Sequence, residues 1–194
     1  MNGIREDLKE IFPYKVIQIE TAEADDIIGT IVHDIEGAEL VNGYSQPILI
    51  LSGDKDFIQL HAYANVNQYD PVRKRFVKHD NPDLYLKEHI AKGDRGDGIP
   101  NMFSDDDTFV TGTRQRPIKK TLLAEWKTMK PEEFVNGDGA HGYNRNSLLV
   151  DLTRTPQDIK DAIIHSYTSQ NNKAVSYTHL RAHETVLDIV CRLL

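Results

Sequence analysis

Apolar and polar positions change period along the chain, and each change marks an element. Residues 15–19 (Lys15, Val16, Ile17, Gln18, Ile19) are β-branched enough to predict a short strand. From about Ala24, the positions Ile27, Ile28, Ile31, Val32 and Ile35 fall on one helical stripe, which Gly37 and then Asn42-Gly43 should end. Ile48-Leu49-Ile50-Leu51 is an unbroken apolar run, expected as a strand buried on both faces. Strand, helix and strand in that order predict a βαβ unit with a parallel pair. Phe57–Leu60 reads as a helical turn, Asn65–Asp70 with Arg75–Lys78 as a hairpin around Pro71-Val72, and 82–91 as a helix with Pro82 in its first turn. Beyond about 94 the pattern is loops and helices, notably 117–130 and 156–168. Two central strands are too few for a covered parallel sheet, so further strands are expected before Met1.

Composition narrows the class. Of 194 residues, 39% are hydrophobic and 27% charged, ordinary for a globular protein. No apolar run approaches the roughly 20 residues of a membrane helix, and the first residues lack a signal-peptide core. Cys191 is the only cysteine, which excludes an intramolecular disulfide and fits a reducing, cytoplasmic setting. The net charge of −7 argues against a nucleic-acid partner until its distribution is read. Carboxylates gather at 20–26, 54–56 and 94–97, and basic residues at 73–78 and 114–120. Such segregation suits metal in one place and phosphate in another, though each cluster alone reads equally as a solvated face.

In open α/β sheets, ligands gather beyond the carboxyl ends of the strands. Glu23, Asp25 and Asp26 follow the first expected strand, Asp54 and Asp56 the second, and Asp94 and Asp97 come later, before Gly98-Ile99-Pro100. Converging carboxylates repel one another, and divalent cations relieve that repulsion. An all-oxygen donor set without Cys or paired His selects Mg²⁺ or Mn²⁺ over Zn²⁺. Taken singly the pieces are weak: Asp26 can be a helix cap, Asp54-Lys55-Asp56 a turn, and the segment at 94–97 lacks EF-hand spacing.

Three ordered signatures, Glu23-Ala24-Asp25-Asp26-Ile27-Ile28-Gly29-Thr30, Ser52-Gly53-Asp54-Lys55-Asp56-Phe57 and Gly93-Asp94-x-x-Asp97-Gly98-Ile99-Pro100, resemble those of the 5′-nuclease superfamily. That superfamily includes flap endonucleases and the 5′-nuclease domain of bacterial DNA polymerase I. The resemblance is to the T-even phage ribonuclease H in particular, through Gln59-Leu60-His61, Asn65-Val66-x-Gln68 and Tyr143-Asn144-Arg145-Asn146-x-x-Leu149-x-Asp151-Leu152. It covers roughly 15–168.

The resemblance implies an α/β fold. A parallel-sheet, PIN-like core (1–93) is expected, followed by a helix–three-turn–helix DNA-binding and helical region (94–172). Residues 173–194 change character abruptly and resemble translated sequencing adapter; a genuine amphipathic helix is the alternative. Glu23, Asp25 and Asp54 match acidic residues of the catalytic metal site, Asp56, Asp94 and Asp97 those of a second site, and Asp26 an adjacent acidic position. The implied cofactors are two Mg²⁺ ions, with Mn²⁺ as substitute, and water as nucleophile. Arg114, Arg116, Lys119 and Lys120 are the expected phosphate contacts, with a solvated basic helix start as the plain alternative. Cellular members follow Gly-Ile-Pro with a glycine-rich hairpin that places a monovalent cation. Asn101-Met102-Phe103-Ser104 stands there instead, which puts that cation site in doubt. The family places two further metal-binding aspartates and an arch upstream, so this chain is expected to be a fragment and a slow enzyme.

The implied activity is 5′→3′ exonuclease, flap endonuclease and ribonuclease H cleavage, removing RNA primers and flaps in replication. Substrates would be branched DNA and RNA–DNA hybrids with 5′ ends. A phage single-strand-binding protein or sliding clamp is a candidate partner, the chain is expected to be a monomer, and the setting is the host cytoplasm. Two alternatives remain open: a non-catalytic DNA-binding fragment and a PIN-type ribonuclease.

Overall fold

The computed structural model describes residues 8–9, 14–43, 46–126, 128–135, 137–171 and 191–192. Helix α1 spans Ala24–Asn42 and strand β1 Ile48–Leu51. A 3₁₀ turn over Asp56–Ala62 leads to the hairpin of β2 (Val66–Asp70) and β3 (Arg75–Val77), then to helix α2 (Pro82–Lys92). Helices α3 (Lys120–Trp126), α4 (Pro131–Phe134), α5 (Ala140–Val150) and α6 (Gln157–Ser169) follow, and two residues, Cys191–Arg192, form β4. The strand order is β3-β2-β1-β4. β1 lies parallel to both β2 and β4, and β2 antiparallel to β3, with Tyr69 opposite Phe76.

The helix α1 continues through Gly37 and ends before Gly43, whose φ of +69° suits glycine. The hairpin and α2 form as their sequences predict, with Asn81 capping α2 by accepting from Leu84 N at 2.9 Å. Three expectations change. Residues 14–19 form no strand: the Gln170 side chain accepts from Val16 N (3.1 Å) and donates to Val16 O (3.3 Å), giving that backbone a partner outside the sheet. The place parallel to β1 is taken by Cys191–Arg192, so the ladder there comes from the segment expected to be foreign. The expected helix over 117–130 is confined to Lys120–Trp126. Its end tightens through Thr128 N→Glu125 O and Met129 N→Trp126 O, and Lys130 before Pro131 is extended.

Apolar burial is concentrated in two clusters. Val32, Ile50, Phe57, Leu60, Val66 and Leu152 form one, between α1, the sheet and the 3₁₀ turn. Strand β1 is not buried on both faces as its apolar run suggested: Ile50 is 3% exposed and Leu49 41%. Ile90, Ala91, Met102, Trp126, Tyr143 and Val150 form the second cluster, between α2, α3 and α5. Helix α5 was not singled out from sequence because its buried stripe includes Gly142, Asn146 and Ser147 beside Tyr143 and Val150. A β-carbon at Gly142 would stand 2.1 Å from Met102 O, so glycine lets α5 lie directly on the 100–104 backbone.

Candidate active site

The acidic residues sit where three segments leave regular structure. At the start of α1, Asp26 Oδ2 accepts from Glu23 N at 3.1 Å, the side-chain-to-backbone half of a capping box. Its Oδ1 accepts from Thr155 Oγ1 at 2.9 Å, so both oxygens of Asp26 hold the helix start against the segment after α5. Glu23 is exposed and Asp25 half-buried. The Asp25 carboxylate, together with partial burial and with Asp26 and Asp97, raises the Glu23 pKa. Burial is the main cause raising Asp25, with Asp26 and Asp54 adding to it against backbone hydrogen bonds that lower it.

After β1 the chain makes a tight polar turn. Asp54 N donates to Ser52 Oγ (3.1 Å), and Asp54 Oδ1 accepts from Asp56 N (3.2 Å). Gln68, 1% exposed in β2, anchors that turn by donating to Ser52 O (2.8 Å) and Asp54 O (2.5 Å). His61 Nε2 lies 3.0 Å from Gln68 Oε1 and fixes the amide. Asp56 opens the 3₁₀ turn, whose Gln59 donates to Asp56 O (2.9 Å) and Val150 O (3.1 Å) and accepts from Leu152 N (3.0 Å). The sheet and the helical region thus grip the same turn.

The third segment leaves α2. Gly93 takes φ +66°, and a β-carbon there would meet Ile99 O at 2.4 Å, so the chain must reverse tightly into Asp94. Asp94 Oδ1 accepts from Gly96 N at 2.6 Å. Along α2, Tyr85 in the first turn stacks on His89, with centroids 5.7 Å apart and planes at 15°. His89 Nε2 lies 3.3 Å from Asp56 Oδ1 and 3.7 Å from Asp94 Oδ2. Burial, followed by Asp54, Asp25, Asp97 and Asp94, pushes the Asp56 carboxyl up to about 7. Burial and the same negative field from Asp56, Asp94 and Asp54 push the Tyr85 phenol up to about 12. Burial outweighs the neighbouring carboxylates at His89 and lowers its pKa.

The structure therefore brings Glu23, Asp25, Asp54, Asp56, Asp94 and Asp97 into one electrostatic field, while Asp26 serves α1 and Thr155. Among the described residues, no three acidic, histidine or cysteine side chains form a ready coordination cage. The donor chemistry nonetheless fits a hard divalent cation: carboxylate oxygens dominate, and burial together with their mutual repulsion pushes the Asp56 carboxyl up to about 7. Tyr85 and His89 are the site residues that sequence reasoning missed. Their i, i+4 spacing on a helix leading straight into Asp94 was the available signal.

Between α2 and α3 the chain runs through turns at 95–98, 102–103 and 106–112. One side chain organises this loop. Arg145 donates from Nη2 to Pro100 O (2.9 Å) and Asn101 O (3.2 Å), and from Nη1 to Ser104 O (3.2 Å) and to Asp106. Asn146, 0% exposed, donates to Ile90 O (2.8 Å) and Pro100 O (2.9 Å). The returning limb is tied in turn: Arg116 N donates to Ser104 Oγ (3.0 Å), and Arg116 O accepts from Asn101 Nδ2 (2.8 Å). Arg114, Arg116, Lys119 and Lys120 are all exposed along that limb and the start of α3. No helix among the described residues is long and apolar enough to cross a membrane.

Comparison with known proteins agrees with this geometry. The family model described as the 5′-3′ exonuclease N-terminal resolvase-like domain matches residues 3–90, and that described as the T4 RNase H C-terminal region matches residues 80–186. The Ribonuclease H of Enterobacteria phage T4 is 32% identical over 172 residues, covering 84% of this chain. The chain spans about half of that phage protein, 54% of its length. With the three acidic signatures gathered on one side of the fold and both family models matched in order, the chain belongs to the 5′-3′ exonuclease family, in its T4 RNase H-like group.

Proposed function

We propose that the chain belongs to a structure-specific 5′-nuclease that hydrolyses phosphodiesters of 5′ flaps and RNA–DNA hybrids, removing RNA primers and flaps during replication. The observation that carries this reading is the field of carboxylates gathered from three chain segments, two of which meet at His89 Nε2, 3.3 Å from Asp56 Oδ1 and 3.7 Å from Asp94 Oδ2. Such a field has little structural use and suits cation binding. Glu23, Asp25 and Asp54 would hold one Mg²⁺ ion, with Asp26 alongside, and Asp56, Asp94 and Asp97 would hold another. When bound, the ions supply Lewis-acid stabilisation of the charge that builds on the phosphate oxygens, and Mn²⁺ can replace them. The chain's own residues shape the site. Gln68 and Gln59 fix the turn bearing Asp54 and Asp56, and Gly93 directs Asp94 back towards Asp56.

The exposed row Arg114, Arg116, Lys119 and Lys120 serves the duplex through its phosphates, with the turns from 95 to 112 as the helix–three-turn–helix element. Phosphate contacts carry no base preference, which suits an enzyme that reads structure and not sequence. A phage single-strand-binding protein or sliding clamp remains the fitting class of partner.

The test joins two measurements on the full chain. Mn²⁺ should raise the melting temperature of the parent and not of an Asp54→Asn/Asp94→Asn double variant. Binding of a 5′-flap substrate should lose about one unit of salt slope for each of the four basic residues neutralised. No metal response, or an equal response in the double variant, would overturn the metal site. Weakened binding with an unchanged salt slope would overturn the phosphate contacts.

A further inference from the structure

His89, largely buried, lies against carboxylates from two of the three acidic segments. Its Nε2 atom is shielded from solvent and has no partner of full hydrogen-bond geometry, yet Asp56 Oδ1 lies at 3.3 Å and Asp94 Oδ2 at 3.7 Å. A buried N–H left without an acceptor is expensive, about 1–3 kcal/mol, so a small carboxylate movement towards it is favoured. The ring itself is held in place. Tyr85 stacks on one face, His79 meets Tyr85 edge-on at 5.1 Å, and His89 O accepts from Gly93 N at 2.8 Å.

We propose that His89 is a positioning residue for the second cation site, a fixed N–H donor that draws the Asp56 and Asp94 carboxylates together and sets their angle. This rests on the metal-dependent reading above and adds a residue outside the acidic signatures. Charge explains why an imidazole suits the position. A lysine or arginine there would neutralise the carboxylates and displace the cation, and an apolar side chain would leave them to repel each other. A single ring nitrogen facing both carboxylates orients them without filling the space between them and the ion. Because the imidazole grows from the last turn of α2, four residues before Gly93, the helix end delivers both the ligand Asp94 and the group that aims it.

The experiment compares the parent chain with His89→Leu, which keeps bulk and removes the donor, and His89→Gln, whose amide N–H reaches the place of Nε2. Mn²⁺ affinity is measured by calorimetry, and melting temperature is recorded in chelator. His89→Leu is expected to weaken Mn²⁺ binding about tenfold or more, and His89→Gln to recover it to within about threefold, the scale known for residues that support metal ligands. The chelator melting temperature of His89→Leu should stay at or above that of the parent, which separates positioning from mere loss of fold. Unchanged Mn²⁺ affinity in His89→Leu would overturn the proposal. So would His89→Gln binding as weakly as His89→Leu, which would make the imidazole itself a ligand. If the parent chain binds no Mn²⁺, the metal-dependent reading fails instead.

Discussion

Replacing Asp56 with asparagine should stabilise the metal-free protein, and the size of the gain follows from the site. The Asp56 carboxyl is moved from 3.8 to about 7 by burial and by Asp54, Asp25, Asp97 and Asp94. A raised carboxyl pKa means that the folded state binds the proton more tightly than the unfolded chain does. Stability is then greatest below about pH 4 for this group, is lost as pH rises towards 7, and stays lost above it. At about 1.4 kcal/mol per unit the ceiling is about 4 kcal/mol. The side chain is 20% exposed, and solvent and salt screen its neighbours, so about 1–2 kcal/mol is the realistic share. Asn keeps the shape and an oxygen able to accept from His89. Asp56→Asn should therefore raise the melting temperature by about 2–8 °C at pH 7.5 in chelator and low salt. The gain should shrink to roughly half by pH 5.5, since about half of the interval between 3.8 and 7 has then been titrated. Millimolar Mn²⁺ should reverse the order of the two proteins. A variant that melts at or below the parent in chelator at pH 7.5, or a gain independent of pH, would refute the account of the carboxylate field.

Arg145→Met should cost about 2–4 kcal/mol in urea denaturation, because the carbonyls of Pro100, Asn101 and Ser104 lose their shared donor. It should also weaken flap binding; a loss under about 1 kcal/mol would show that the loop holds itself. His33, half-buried with Nδ1 2.7 Å from Tyr63 Oη, has its pKa lowered mainly by burial. Its folded state resists protonation, so its contribution is present at neutral pH and lost as pH falls below about 6.5, opposite in sign to Asp56. In the Asp56→Asn background the melting temperature should fall between pH 7.5 and 5.5, and His33→Gln should flatten that fall; equal slopes would exclude His33.

The acidic half of the site was legible because its chemistry is local. Each signature places carboxylates directly after an apolar run or a glycine, and the order along the chain supplies the convergence. His89 and Tyr85 were not legible, since a histidine four residues after a tyrosine on a polar helix has no chemical mark until Asp56 is folded against it. Helix α5 escaped for a related reason. Asn146 and Ser147 occupy core positions that a hydrophobic scan assigns to surface, and only the carbonyls of Ile90 and Pro100 explain why an amide belongs there. The strand expected over 15–19 had the right residues. Strand pairing, however, is decided by the neighbour available, and Gln170 supplies one that no local pattern announces. Asp26 shows the converse: it lies inside an acidic signature, yet its oxygens serve a helix start and a threonine 129 positions away.

Helix α2 packs on the 3₁₀ turn that begins at Asp56 and, on another side, on α5, which carries Arg145. A single rigid rod therefore forms a wall of the acidic site and a wall of the loop bearing the basic row. Tolerance to change along this helix should be unequal by face: the exposed position Asp83 can drift, while Ile90 and Ala91 are constrained from both directions. An attempt to retune substrate grip by repacking α5 would be transmitted along that rod to Asp94. Engineering of affinity and of metal response in this protein is thus one problem, and libraries that vary the two regions separately would miss the combinations that work.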